Sequence, residues 1–157
     1  MTKNDEILKK VIIDSTKVEE ILIPGKSEIN KYPLFLESVS AGFPSPADDY
    51  LQSNLDLNDF LIRHPAATFF VRVTGDSMND AGIFNGDILL VDRALEPKDG
   101  NIVIAVIDGE LLVKRLQKRH NKIYLIAENP NYKPIKITDE MNFEVWGVVS
   151  TVLHNLI

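Results

Sequence analysis

The chain has 157 residues, a net charge of −6 and no cysteine. Its length predicts one globular domain, or one domain with a tail, and its 45% hydrophobic and 25% charged residues exclude wholesale disorder and a coiled-coil rod. The absence of cysteine excludes disulfides, thiolate catalysis and cysteine-based metal sites, and an acidic chain is poorly suited to bind nucleic acid through its phosphates.

Residues 1–41 are predicted to form a largely extended tail. Apolar residues occur there only in short patches, such as residues 11–13 and 21–23, which are typical of short strands or docking segments. Pro24-Gly25 interrupts the segment and no helix-turn-helix pattern is present, so we expect no direct sequence-specific DNA binding. The charged first residues, and the lack of any apolar run near the ~20 residues of a membrane span, predict a cytoplasmic protein that does not bind membranes.

The region after the tail begins with two predicted helices. Residues 42–44 are predicted to be extended, because a residue before proline avoids the helical region. Ser45 then predicts a helix N-cap with Pro46 as the first helical residue. A second short helix is predicted over residues 56–62 and is stopped by Pro65.

After Pro65 the pattern changes to short β-rich runs separated by turn residues. Asp108-Gly109 stands between two of these runs and strongly predicts a two-residue hairpin. Many short strands with no helices between them predict a mostly β fold for residues 42–157, a compact domain of short antiparallel strands. The predicted strands cover residues 68–74, 87–92, 101–107, 110–116, 122–127, 135–137 and 143–153.

The histidines are too few and too scattered to predict a catalytic or metal site. The sequence contains His64, His120 and His154, which are far apart, so neither a Ser–His–Asp triad nor a histidine-based metal site is expected. We therefore predict no metal and no cofactor. Asp87 and Asp92 flank an apolar run and are predicted to be strand-end or turn residues.

Two side chains are candidates for nucleophilic chemistry. Ser77 follows Gly75 after a predicted strand, in a tight turn where backbone N–H groups can converge on an oxyanion. Lys114 lies between Leu112 and Leu116 on one strand face, where desolvation would lower the lysine pKa and yield a neutral amine that can take a serine proton. Each pattern alone is more often a plain turn or a lysine that extends to water. Together they form the most economical nucleophile–base pair that this composition allows.

An ordered set of sequence blocks carries a family resemblance. The blocks include Ala41-Gly42, Gly42-Phe43-Pro44-Ser45-Pro46-Ala47, residues 57–65, Gly75-Asp76-Ser77-Met78, residues 86–92 and 100–103, Leu112-Val113-Lys114-Arg115 and Gly147-Val148-Val149. In this order they resemble the LexA/UmuD family of self-cleaving Ser/Lys peptidases, and most closely its UmuD-like branch. The resemblance runs from about residue 34 to the C-terminus, and the ordered set is far more specific than any single block.

The resemblance implies a catalytic dyad and a cleavage site in the chain's own tail. It implies that Ser77 is the nucleophile, that Lys114 is the neutral general base and that Ala41-Gly42 is the scissile peptide. Backbone N–H groups of Asp76 and Ser77 would stabilise the oxyanion. The chain departs from the UmuD pattern at the cut, where UmuD proteins commonly carry Cys-Gly and LexA-type repressors carry Ala-Gly.

The resemblance also implies a role and partners. The expected protein acts in the SOS response, and a RecA–single-stranded DNA filament stimulates its self-cleavage. The trimmed homodimer would be the accessory subunit of an error-prone translesion polymerase, with a UmuC-like Y-family DNA polymerase subunit as its partner.

Two other functions stay open at this point, and a third is set aside. The chain is also consistent with a protein-interaction dimer that regulates a polymerase with an idle peptidase. A LexA-like repressor fragment is disfavoured by the acidic charge and by the lack of a DNA-binding pattern before the cut. A signal-peptidase-like enzyme also uses serine and lysine but needs a membrane anchor, which the sequence does not predict.

Overall fold

Alternating apolar residues and frequent turn residues give this chain a mostly β structure. The structure is a computed structural model, and it describes residues 17–23, 31–35 and 51–157. Its strand pairs are antiparallel, which confirms the predicted fold class. The strands are β1 (Lys17–Leu22), β2 (Lys31–Phe35), β3 (Leu51–Asp56), β4 (Thr68–Thr74), β5 (Ile88–Asp92), β6 (Ile102–Ile107), β7 (Glu110–Arg119), β8 (Lys122–Ile126), β9 (Ile135–Lys136) and β10 (Phe143–Leu153).

The strands predicted after Pro65 are confirmed with small changes at their ends. β7 is the main exception, since it runs three residues beyond the predicted end and stops at Arg119. Asp108 and Gly109 form the predicted hairpin turn, with φ angles of 50° and 88°. That left-handed backbone is what a two-residue hairpin needs, because its twist matches the twist of the paired strands.

The predicted second helix is also confirmed, as α1 (Leu57–Leu61). The carboxylate of Asp56 caps it by accepting hydrogen bonds from the backbone N–H groups of Asn58 at 2.8 Å and Asp59 at 3.4 Å. Two short 3₁₀ turns, Pro65–Ala67 and Asn79–Ala81, complete the helical structure of the described residues.

The chain divides into two compact units. The smaller unit lies between residues 25 and 63 and holds the β2–β3 pair and α1. The larger unit combines β1 with residues 64–157. The predicted helix start at Ser45 and the predicted boundary between residues 41 and 42 lie outside the described residues, so both stay predictions.

The larger unit is built on one sheet with the strand order β1-β4-β5-β10-β6-β7-β8-β9. Lys17 of β1 is aligned with Thr74 of β4 and also with Leu112 of β7. The strands from β1 through β7 in this order therefore close into a ring, and β8 and β9 continue the sheet beyond it. The ring brings the end of β4 close to the middle of β7.

Two clusters of buried apolar side chains fill the larger unit. β6 and β7 contribute residues to both clusters, because successive residues of a strand point to opposite sides of the sheet. Ile104 and Val113 belong to the first core cluster, and Val103 and Leu116 belong to the second. The first core cluster consists of Phe69, Val71, Val73, Met78, Ile83, Leu89, Val91, Ile104 and Val113.

Candidate active site

Residues 75–78, here called the serine turn, follow directly on β4. Gly75 has a φ of 94°, a backbone conformation that glycine adopts without steric cost. Its N–H donates to the side-chain oxygen of Asn85 at 3.1 Å, and the N–H of Gly86 donates to the carbonyl of Val73 at 2.8 Å. The first bond ties the serine turn, and the second ties the end of β4, to the loop before β5.

A second loop holds the serine turn from the other side. Asn129 donates a side-chain N–H to the carbonyl oxygen of Asp76 at 2.9 Å, and the hydroxyl of Tyr132 donates to the Asp76 carboxylate. The N–H of Asp80 donates to the carbonyl of Glu128 at 2.9 Å. The sequence pattern of residues 128–132 predicts a loop, and the family resemblance implies that this loop lies near the active site. Which of its side chains contact Asp76, more than 50 residues away, follows only from the structure.

Ser77 and Lys114, the nucleophile–base pair predicted from the sequence, lie in direct contact. Lys114 stands on β7, and its Nζ donates a hydrogen bond to the Oγ of Ser77 at 2.9 Å. The same Nζ donates to the carbonyl of Val113 at 3.1 Å. Ser77 is 0% exposed and Lys114 is 2% exposed, so the pair is shielded from bulk water.

Burial changes the protonation of this lysine. It lowers the pKa of Lys114 from the ordinary value of 10.5 to about 8, because the charged form loses its hydration. Leu112 and Leu116, its neighbours on the same strand face, are themselves buried. A lysine in this state is neutral in a useful fraction of molecules near neutral pH, and a neutral amine beside a hydroxyl can act as a general base.

The other predicted site residues fall into two groups. Asp76 and Ser77 lie in the serine turn, where their backbone N–H groups were predicted to stabilise an oxyanion, and the Asp76 side chain is exposed. Ala41 and Gly42, the predicted scissile pair, lie outside the described residues. The cleavage position therefore stays a prediction.

Two histidines are held by buried aspartates at the ends of β5. Asp87 is 3% exposed and its carboxylate lies 2.6 Å from Nδ1 of His154, while Asp92 is 4% exposed and lies 2.6 Å from Nδ1 of His64. Both aspartates stand at the predicted strand ends, but their pairing with histidines was not predicted. The aspartates and histidines are 67 and 28 residues apart, so no local pattern links them.

Replacing Asp87 by alanine is expected to lower the free energy of unfolding by about 3 kcal/mol, because the buried carboxylate also accepts the N–H of Phe84 at 2.7 Å. Urea unfolding measures this change. The exposed Asp139→Ala variant is the control, with an expected change within about 0.5 kcal/mol. Equal effects of the two substitutions would show that the Asp87 contacts contribute nothing to stability.

Within residues 17–23, 31–35 and 51–157, no group of three or more histidine, cysteine, aspartate or glutamate side chains is placed to hold a metal ion. No helix in this described part of the chain is long and apolar enough to cross a membrane.

Comparison with known proteins places the chain in a family. The sequence profile described as "Peptidase S24-like" matches residues 33–150. The chain is similar to "Protein SamA" of Salmonella typhimurium, with 51% identity over 78% of this chain and 84% of that protein. It is similar to "Protein ImpA" of Escherichia coli, with 48% identity over 78% of this chain and 83% of that protein.

Two further proteins are also similar to this chain. "Protein MucA" of Escherichia coli is 42% identical over 90% of this chain and 94% of that protein. "LexA repressor" of Ectopseudomonas mendocina is 39% identical over 73% of this chain but only 55% of the repressor. The match to most of the chain, together with these relatives, shows that this protein belongs to the peptidase S24-like family.

Proposed function

We propose that this chain is a self-cleaving serine peptidase that cuts its own Ala41–Gly42 bond, with Ser77 as nucleophile and Lys114 as general base. The observation that carries the proposal is the 2.9 Å hydrogen bond between Lys114 Nζ and Ser77 Oγ at a site where both residues are buried. Membership of the peptidase S24-like family and similarity to the relatives above support it.

The proposed reaction is an acyl transfer in two halves. Neutral Lys114 takes the proton of the Ser77 hydroxyl as Oγ attacks the Ala41 carbonyl carbon. The bond to Gly42 then breaks, and Lys114 returns the proton to the departing amine. In the second half, Lys114 takes a proton from water as the water oxygen attacks the ester carbonyl carbon. The bond from that carbon to Ser77 Oγ then breaks, and Lys114 gives the proton to Oγ, which frees the Ala41 carboxyl group and restores the Ser77 hydroxyl.

The serine turn supplies the remaining element of the proposed mechanism. Negative charge develops on the Ala41 carbonyl oxygen during attack, and backbone N–H groups at Asp76 and Ser77 are assigned to stabilise it. Contacts from Asn129 and Tyr132 to Asp76 hold this backbone in place before the reaction. Donors that are already positioned cost no reorganisation when the charge appears.

The proposed role is that of a UmuD-like protein of the SOS response. A RecA–single-stranded DNA filament would favour the conformation in which the tail occupies the site, which is a population shift and adds no chemical group. The trimmed protein would act in the cytoplasm as a homodimer, the accessory subunit of an error-prone translesion polymerase with a UmuC-like catalytic subunit.

Incubation with an activated RecA filament tests the role and the peptidase together. Mass spectrometry of the wild-type protein is expected to show accelerated formation of a fragment that begins at Gly42, while Ser77→Ala stays intact. Binding of the uncut chain to a UmuC-like polymerase, with no cut under any condition, would instead indicate an interaction protein whose peptidase is idle.

The rate of self-cleavage without filament is expected to rise with pH. Because the pKa of Lys114 is about 8, the neutral fraction increases about tenfold from pH 7 to pH 10 and then levels off. A time course at several pH values, quenched in acid and quantified by mass, measures the midpoint. A rate that stays flat or falls over this range would contradict the assignment of a lysine base.

A further inference from the structure

The strands before the proposed cut are paired with strands that come after it. β1 pairs with β4, and β2 pairs with β3. Both β1 and β2 precede Ala41, and both of their partners follow Gly42. The bond between residues 41 and 42 lies outside all four of these paired ranges.

The β1–β4 pair also buries apolar side chains. Val18 is aligned with Val73 and Ile21 with Val71. Val18 and Ile21 are partly buried and pack against the first core cluster, to which Val71 and Val73 belong. This burial holds β1 by the hydrophobic effect, which needs no covalent link.

β1 further closes the ring of strands in the larger unit. Its first residue, Lys17, is aligned with Thr74 next to the serine turn and with Leu112 two residues before Lys114. Loss of β1 would turn β4 into an edge strand with unpaired backbone groups, which is unfavourable. Glu20 adds an exposed ion pair to Arg72 of β4, at 3.2 Å.

We propose that the N-terminal fragment stays bound after the cut, held by β1 on β4 and by β2 on β3. Cleavage and loss of the tail are then two separate events, and the immediate product is a complex of two fragments with its strand ring still closed. Two strands on one fragment bind more tightly than either alone, since the second pairing is intramolecular once the first has formed. The position of the cut rests on the proposed function, but the retention of the fragment does not.

The test uses a cut that does not depend on Ser77. The recognition sequence of a site-specific protease is inserted between Ala41 and Gly42 of a full-length Ser77→Ala chain, and denaturing mass spectrometry verifies complete cutting. On native size-exclusion chromatography, the two fragments are expected to elute together in a 1:1 ratio. Elution of the N-terminal fragment by itself would overturn the proposal.

Matched variants test the part played by β1. Val18→Asp/Ile21→Asp is expected to weaken retention at least about tenfold, and the milder Val18→Ala/Ile21→Ala is expected to weaken it less. Glu19→Ala is the control, because Glu19 is exposed and stands at the irregularity in the β1–β4 register. Melting curves of the uncut variants show whether each one folds.

Failure of this proposal can be distinguished from failure of the proposed function. If both valine–isoleucine variants retain the fragment as well as Glu19→Ala does, the proposed role of β1 is wrong. If the wild-type chain never cuts itself, the proposed function fails, but the engineered cut still decides whether the fragment stays bound.

Discussion

Replacement of Lys114 by methionine is expected to slow self-cleavage by about 10³-fold, because it removes the general base while keeping an unbranched side chain in the same buried space. The wild-type lysine donates to Ser77 Oγ at 2.9 Å and has a pKa lowered to about 8, so it can exchange a proton with the hydroxyl. Methionine has no group that can do so. Time courses of cleavage at pH 10 measure the loss.

Two control variants distinguish the loss of the general base from the loss of a positive charge. Lys114→Arg keeps a cation but stays protonated, so it is expected to be as inactive as Lys114→Met. Lys133→Met removes an exposed lysine and is expected to cut at the wild-type rate. Wild-type rates in Lys114→Met would mean that another group takes the proton from Ser77.

Lys114→Met is also expected to change how the free energy of unfolding depends on pH. The pKa of Lys114 falls from 10.5 to about 8 on folding. Between these two values the unfolded chain keeps the proton and the folded protein has lost it, so the free energy of unfolding rises with pH. The gain is about 3 kcal/mol over the whole window and is absent below about pH 8, where both states are protonated.

Urea unfolding at pH 7 and pH 10 measures this effect. All proteins carry Ser77→Ala, which prevents self-cleavage during the measurement. The protein with Lys114 is expected to gain about 2–3 kcal/mol between the two pH values relative to Lys114→Met, because ionisation of other groups cancels in the comparison. Lys133→Met is expected to behave like the protein with Lys114. The same pH dependence with and without Lys114→Met would show that folding does not desolvate the amine.

The parts of the fold that the sequence predicted are those that depend on neighbouring residues. The Asp108-Gly109 turn needs positive φ at both positions, and aspartate and glycine tolerate it. Asp56 begins α1 because its carboxylate reaches N–H groups two and three residues further on. β7 continues to Arg119, beyond its apolar residues, because pairing with β8 extends the ladder through exposed side chains.

The candidate site was predictable only in part. Residue chemistry and composition left serine and lysine as the best nucleophile–base pair, but Ser77 and Lys114 are 37 residues apart, and their pairing was implied by the family resemblance. The ring closure by β1 and the aspartate–histidine pairs depend on long-range contacts. No periodicity or motif in the sequence encodes them, so they required the structure.

Intact-mass measurement after incubation at pH 10 tests the central claim most directly. The wild-type protein, without any added factor, is expected to yield two fragments that correspond to residues 1–41 and 42–157, and Ser77→Ala is expected to keep its full mass under the same conditions. Cleavage of Ser77→Ala at the wild-type rate, or a wild-type cut at a bond other than Ala41–Gly42, would contradict the proposed dyad and cleavage site.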